Sequence, residues 1–311
     1  MLHLRVITPA DLADRVLDLL DADVGATNVV VWRGVARDPA GDLISADVAR
    51  EAANDVLDGL SELGLRERGS ITLEEIDTTL SAAVDQAEKR APGHGQDAVV
   101  WEQVESTINE ESALSAAFLT FLTIATMIAG IGVLLDEPIL IVGAMVVGPE
   151  FGPLAGICVA LVQRQWHQLR RSVRALVVGF PVAIAVTILA TLLGRAVGLV
   201  DPEMLDRNRP FTDFISQPDW FSFIVAFLAA IAGMISLTSS KSGALIGVLI
   251  SVTTVPAAGN IAVALALGNP GLAGGSAKQL LINLTGIVAS GTLTLLVQRW
   301  AWRRTPATAG R

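Results

Sequence analysis

The sequence predicts an α-helical multi-pass membrane protein: six spans in two inverted three-helix repeats with broken middle helices, preceded by a small α+β ferredoxin-like domain. Three observations lead there. Charge divides the 311-residue chain near residue 112: residues 1–111 hold 23 Asp and Glu against 9 Lys and Arg, whereas residues 112–311 hold 8 against 13. The net charge of −9 therefore describes neither part. The second part contains six apolar runs that reach, or nearly reach, the ~20 residues a helix needs to cross a bilayer. Short motifs also recur at a spacing of 103 positions: Ile128-Ala129-Gly130 returns as Ile231-Ala232-Gly233, and Pro153-Leu154-Ala155-Gly156 as Pro256-Ala257-Ala258-Gly259.

In chain order, residues 2–8 alternate apolar and polar side chains like a half-buried strand. Residues 9–21 place Leu12, Val16, Leu17, Leu19 and Leu20 largely on one helical face. Strands follow at 28–37 and 43–48, joined by a turn at 38–42 that contains Pro39 and Gly41. A helix over 49–63 stops at Gly64, a suitable left-handed cap. A fourth strand over 70–79 completes the order βαββαβ within a domain spanning 1–80. No residue cluster in that domain reads as catalytic. The opening residues pass directly into strand and helix, without the apolar stretch of a secretory leader. Residues 81–112 form a linker: a helical tail, a joint at 91–95, and an acidic amphipathic helix with Val100, Val104 and Ile108 four apart.

The membrane domain spans 113–298, with spans at about 113–135, 138–162, 173–195, 220–238, 243–268 and 279–298. A basic tail, 299–311, follows. Soluble helices would carry a polar face at a 3.6-residue period, and these are apolar nearly all round. Arg164, Arg170, Arg171 and Arg174 follow the second span, and Arg299, Arg303, Arg304 and Arg311 follow the sixth. The loop after the third span instead holds Asp201, Glu203, Asp206, Asp213 and Asp219. By the preference of Lys and Arg for the cytoplasmic side, both termini are expected in the cytoplasm, with Lys278 against the pattern. Trp101, Trp166, Trp220, Trp300 and Trp302 flank spans as an interfacial belt. Three spans per half would invert the second half relative to the first, a recurring plan of secondary transporters.

The candidate site lies in the second span, where Gly148, Pro149, Glu150, Gly152 and Pro153 interrupt an apolar run. Irregular backbone at membrane depth is tolerated only where protein or water covers it. A charge there costs roughly 2.5–3.5 kcal/mol on insertion scales and is by default a functional group. Glu150 is thus the leading candidate for a proton- or cation-carrying carboxylate between half-helices, against the alternative of a protonated or hydrogen-bonded structural acid facing the bundle. Ser251, Thr253, Thr254, Pro256 and Asn260 occupy the matching place in the fifth span, where their oxygens could coordinate a solute or simply bond between helices. Asn283 and Thr285 are weaker candidates. The three histidines fall outside the spans and Cys158 has no histidine partner there, so no metal set or cofactor is expected. No phosphate-binding loop is present, and the acidic front part argues against nucleic acid.

Gly143-Ala144-Met145 with Pro149 and Pro153, Leu169-Arg170-Arg171-Ser172, and residues 242–259 with Pro256 together resemble the Domain of Unknown Function 389 family, the uncharacterised hydrophobic domain of bacteria and archaea. The resemblance covers about 113–298. It implies a multi-pass membrane protein and brings no established activity. Family members usually carry an apolar residue after the first proline, where this chain carries Glu150. The expected function is a secondary transporter or channel in the bacterial cytoplasmic membrane, using the broken spans 2 and 5. Its expected partners are membrane lipid, a small solute or ion and further copies of itself. The alternative is a non-transporting sensor or scaffold whose acidic domain binds a regulator. An enzyme is not expected.

Overall fold

The computed structural model describes residues 1–76, 78–91, 98–207, 209–217, 219–239 and 253–304. The chain divides into two compact units, chiefly Met1–Val104 and Glu105–Leu237 with Lys241–Trp300. In the first, strand β1 (Leu2–Thr8), helix α1 (Ala13–Ala22), strands β2 (Ala26–Arg37) and β3 (Ala40–Val48), helices α2 (Ala53–Glu62) and α3 (Leu65–Arg68), and strand β4 (Ser70–Glu75) follow one another. The strands form one antiparallel sheet in the order β2-β3-β1-β4. Alternation in β1 decides which face is covered: Leu2, Leu4 and Val6 are buried against Val16 and Leu20 of α1 and Val56, Leu57 and Leu60 of α2. After α2 the chain turns at Gly64, with φ of +74°, a conformation open to glycine at no steric cost.

On the opposite face, the register sets Asp47 across from His3. His3 Nδ1 lies 2.9 Å from Asp47 Oδ1, Ser45 Oγ lies 3.1 Å from His3 Nε2, and Asn28 Nδ2 donates to Asp47 Oδ2 at 2.7 Å. This network ties β1, β2 and β3 together through residues 19 to 44 positions apart, which is why the sequence alone does not reveal it.

Helices α4 (Ala82–Arg90) and α5 (Trp101–Glu111) follow. The predicted stripe of Val100, Val104 and Ile108 is buried. Asn54 holds the approach to α5: its Nδ2 donates to the Val99 carbonyl at 2.7 Å, and its Oδ1 accepts from Trp101 N at 3.2 Å. The latter satisfies one of the four N–H groups that the start of a helix leaves without a partner. Asn54→Ala is expected to cost about 1–3 kcal/mol locally. Amide hydrogen exchange should accelerate at 99–104 and stay unchanged in β1.

The second unit comprises α6 (Ala116–Leu135), α7 (Pro138–Val147), α8 (Phe151–Gln163), α9 (Trp166–Ala196), α10 (Glu203–Asp206), a 3-10 turn (Asp213–Ile215), α11 (Trp220–Thr238), α12 (Thr254–Ala266) and α13 (Pro270–Arg304). Four helices, α6, α9, α11 and α13, are long and apolar enough to cross a membrane. The pair α7 and α8 passes the same test but is bent by 51°, which gives up to five spans among the described residues. This is fewer than the six expected. The predicted fifth span begins outside the described residues, and its described part, α12, is a 13-residue helix. The third and sixth helices run well beyond their predicted apolar stretches. Hydropathy marks only the apolar length, whereas backbone hydrogen bonding continues through the polar turn that carries Arg170, Arg171 and Arg174. Large apolar side chains such as Ile131, Ile139, Val177, Leu189, Leu228 and Leu293 stand exposed on these helices, as a lipid-facing surface requires.

Small residues let the helices approach. A Cβ on Gly259 of α12 would lie 2.8 Å from Ala129 Cβ, 2.8 Å from Gly130 N and 2.9 Å from Thr126 O of α6. The thiol of Cys158 in α8 is buried and lies 3.6 Å from the Val288 carbonyl of α13.

Candidate functional site

The bend between α7 and α8 falls at Gly148, Pro149 and Glu150. Pro149 disfavours a helical residue before it, and Gly148 accordingly takes an extended conformation, with φ of −66° and ψ of 127°. Helix α8 restarts at Phe151, with Gly152 and Pro153 in its first turn, where a missing N–H breaks no bond. Glu150 is the N-cap of α8, yet its side chain bonds none of that helix's N–H groups. It turns instead toward α12. Thr254 Oγ1 donates to Glu150 Oε1 at 2.6 Å. Glu150 Oε2 has no hydrogen-bond partner among the described residues, although Glu150 is only 4% exposed.

Helix α12 begins as α8 does. Thr253 is its N-cap, Thr254 its first residue, and Pro256 again sits in the first turn. Two helix N-termini therefore meet at one carboxylate. Each carries a partial positive charge that favours an anion beside it. A side chain on Gly148 would displace the Glu150 carboxylate and press on Val255, so glycine lets the carboxylate take this position.

Beyond the carboxylate runs a polar seam between α12 and α13. Asn283 Nδ2 donates to Thr253 Oγ1 at 2.8 Å, Gln279 Nε2 donates to Asn283 Oδ1 at 3.1 Å, and Asn260 Nδ2 donates to Ser276 Oγ at 2.8 Å. Asn260 Oδ1 and Gln279 Oε1 have no partner among the described residues. The structure thus joins Glu150 to Thr254, and Thr253 to Asn283. Asn260 lies one seam position farther along, and Ser251 lies outside the described residues. Thr285 bonds back to its own helix at Leu281 and faces outward. Sequence reasoning missed Ser276, which precedes the predicted last span, and Gln279, which stands at its first position where a polar residue reads as the membrane edge. Ser276, Gln279 and Asn283 are spaced three and four apart, the helical-face signal that could have found them. Carboxylate, hydroxyl and amide oxygens suit a hard cation or a hydrogen-bonding solute. Among the described residues no three His, Cys, Asp or Glu side chains gather as a metal set.

The family model described as "Domain of unknown function (DUF389)" matches residues 145–289, the stretch that holds the bend, α12 and the seam. An uncharacterized protein of Methanocaldococcus jannaschii is 22% identical over 283 residues, covering 89% of this chain and 84% of its own length. No solved structure matches.

Proposed function

We propose that this chain, a member of the DUF389 family, is a membrane transporter or channel for a small solute or ion, with its path between the bend at Gly148–Glu150 and the start of α12. One observation carries the reading: two 13-residue half-helices, Phe151–Gln163 and Thr254–Ala266, start 103 positions apart, and Thr254 bonds Glu150 across their N-termini. The flanking helices support an internal repeat. Ala116 and Trp220 begin α6 and α11 at a spacing of 104, as Trp166 and Pro270 begin α9 and α13. Half-helices whose N-termini face a common site are a recurrent device of secondary transporters built from inverted repeats. In this reading Thr253, Thr254, Pro256 and Asn260 serve the second repeat as Glu150, Gly152 and Pro153 serve the first. The ferredoxin-like domain acts as a cytoplasmic regulator, the protein assembles from several copies, and no chemical step is assigned to it.

Two measurements test this. Purified protein in liposomes should move a small solute or ion above the background of empty liposomes, and a scaffold would not. Reporters placed before Met1 and after Arg311 should read cytoplasmic, and one in the 201–219 loop external. A cytoplasmic signal from that loop would rule out the inverted arrangement.

A further inference from the structure

Glu110 and Glu111 at the end of α5 have no ion-pair partner among the described residues. Both line a cavity of about 310 Å³ together with Ser115, Phe118, Gly148 and Gly152. That volume accommodates on the order of ten waters, so a hydrated ion fits where a proton would need only a file of them. Gly152 fixes the cavity wall, since a Cβ there would lie 2.7 Å from Glu111 Cβ and 3.0 Å from its carbonyl. Burial, with Glu110 alongside, raises the Glu111 carboxyl above its ordinary range, a cost that a cation in the cavity relieves. Gly148, also in the cavity lining, is the residue against which the Glu150 carboxylate packs. The oxygen behind it, Oε2, is buried and has no hydrogen-bond partner among the described residues. The cavity wall thus carries two carboxylates without an ion-pair partner among the described residues, and behind its Gly148 lies a third, Glu150, with one oxygen bonded by Thr254 and the other open.

We propose that this cavity is the entrance for a monovalent metal cation, which Glu110 and Glu111 attract and which passes Gly148 to bind at Glu150 Oε2. A single carboxylate at the inner position matches one positive charge, with Thr254 Oγ1 supplying a neutral oxygen beside it. Calcium would ask for roughly 6–8 oxygen ligands, more than this carboxylate and hydroxyl supply. Attraction by a charged mouth raises local ion concentration and rates by about 10- to 1,000-fold, and salt screens it. The inference deepens the transport reading and depends on it only for flux.

The test has two arms, both on the full chain. In liposomes of phosphatidylethanolamine and phosphatidylglycerol, uptake of radioactive sodium or rubidium is compared for wild type, E110Q and E110Q/E111Q. The double variant should be slower by about tenfold at low salt, the low end of the focusing range, and the gap should close at high salt. In detergent, modification of Glu150 by dicyclohexylcarbodiimide should be slowed by sodium or rubidium chloride. The double variant should need about ten times more salt for equal protection. Equal protection in wild type and double variant overturns the entrance, even if flux occurs. Salt-independent modification of wild type, or uptake confined to protons, anions or neutral solutes, overturns the cation assignment. Protection without any flux keeps the cation site and overturns transport. A folded Gly148→Ala chain that still takes up rubidium at the wild-type rate also overturns the route.

Discussion

Glu150→Gln should reduce solute flux to the background of empty liposomes while leaving folding and membrane insertion intact. Glutamine keeps the shape of the side chain and an oxygen that can still accept from Thr254 Oγ1, so the link between α8 and α12 survives. What disappears is the negative charge at two helix N-termini and the acceptor strength of the unpartnered Oε2. Glu150→Leu provides the opposite control, because it removes the hydrogen bond along with the charge. A buried charge in a membrane interior is costly, so a purely structural Glu150 should be replaced by leucine with equal or greater thermal stability. Flux and thermal midpoint measured on both variants separate the cases. Normal flux in Glu150→Leu would remove Glu150 from the site.

The largest effect on stability is expected at Gly259. A methyl group there meets Ala129 Cβ, Gly130 N and Thr126 O at 2.8–2.9 Å, and two of these atoms are backbone, which cannot rotate aside. Overpacking of this kind typically costs about 1–3 kcal/mol, and Gly259→Val should exceed Gly259→Ala. Gly143→Ala is the matched control, since nothing lies within 4 Å of its added Cβ. A Gly259→Val protein with the wild-type melting midpoint would contradict the close approach of α6 and α12.

Much of the fold was legible because local chemistry and long-range structure agree. Alternation over residues 2–8 announced β1, the valine and isoleucine spacing announced α5, and the proline pair in the second span announced a bend. Glu150 stood out because a charge inside an apolar run is costly wherever it sits. Three kinds of feature were not legible. Helix ends beyond the apolar stretch, as in Trp166–Ala196, follow hydrogen bonding rather than hydropathy. The His3, Ser45 and Asp47 network depends on strand register. The seam of Ser276 and Gln279 depends on which face of α13 meets α12, and a single helix does not state its neighbour.

Cys158 is the chain's single cysteine, sealed in α8 with its sulfur 2.8 Å from where a Cβ on Gly291 would stand. Water-soluble maleimides should therefore leave the native protein unlabelled. Each cysteine introduced elsewhere, whether in the 201–219 loop or along the cavity wall, would report its own accessibility against a silent background, without prior removal of the native thiol.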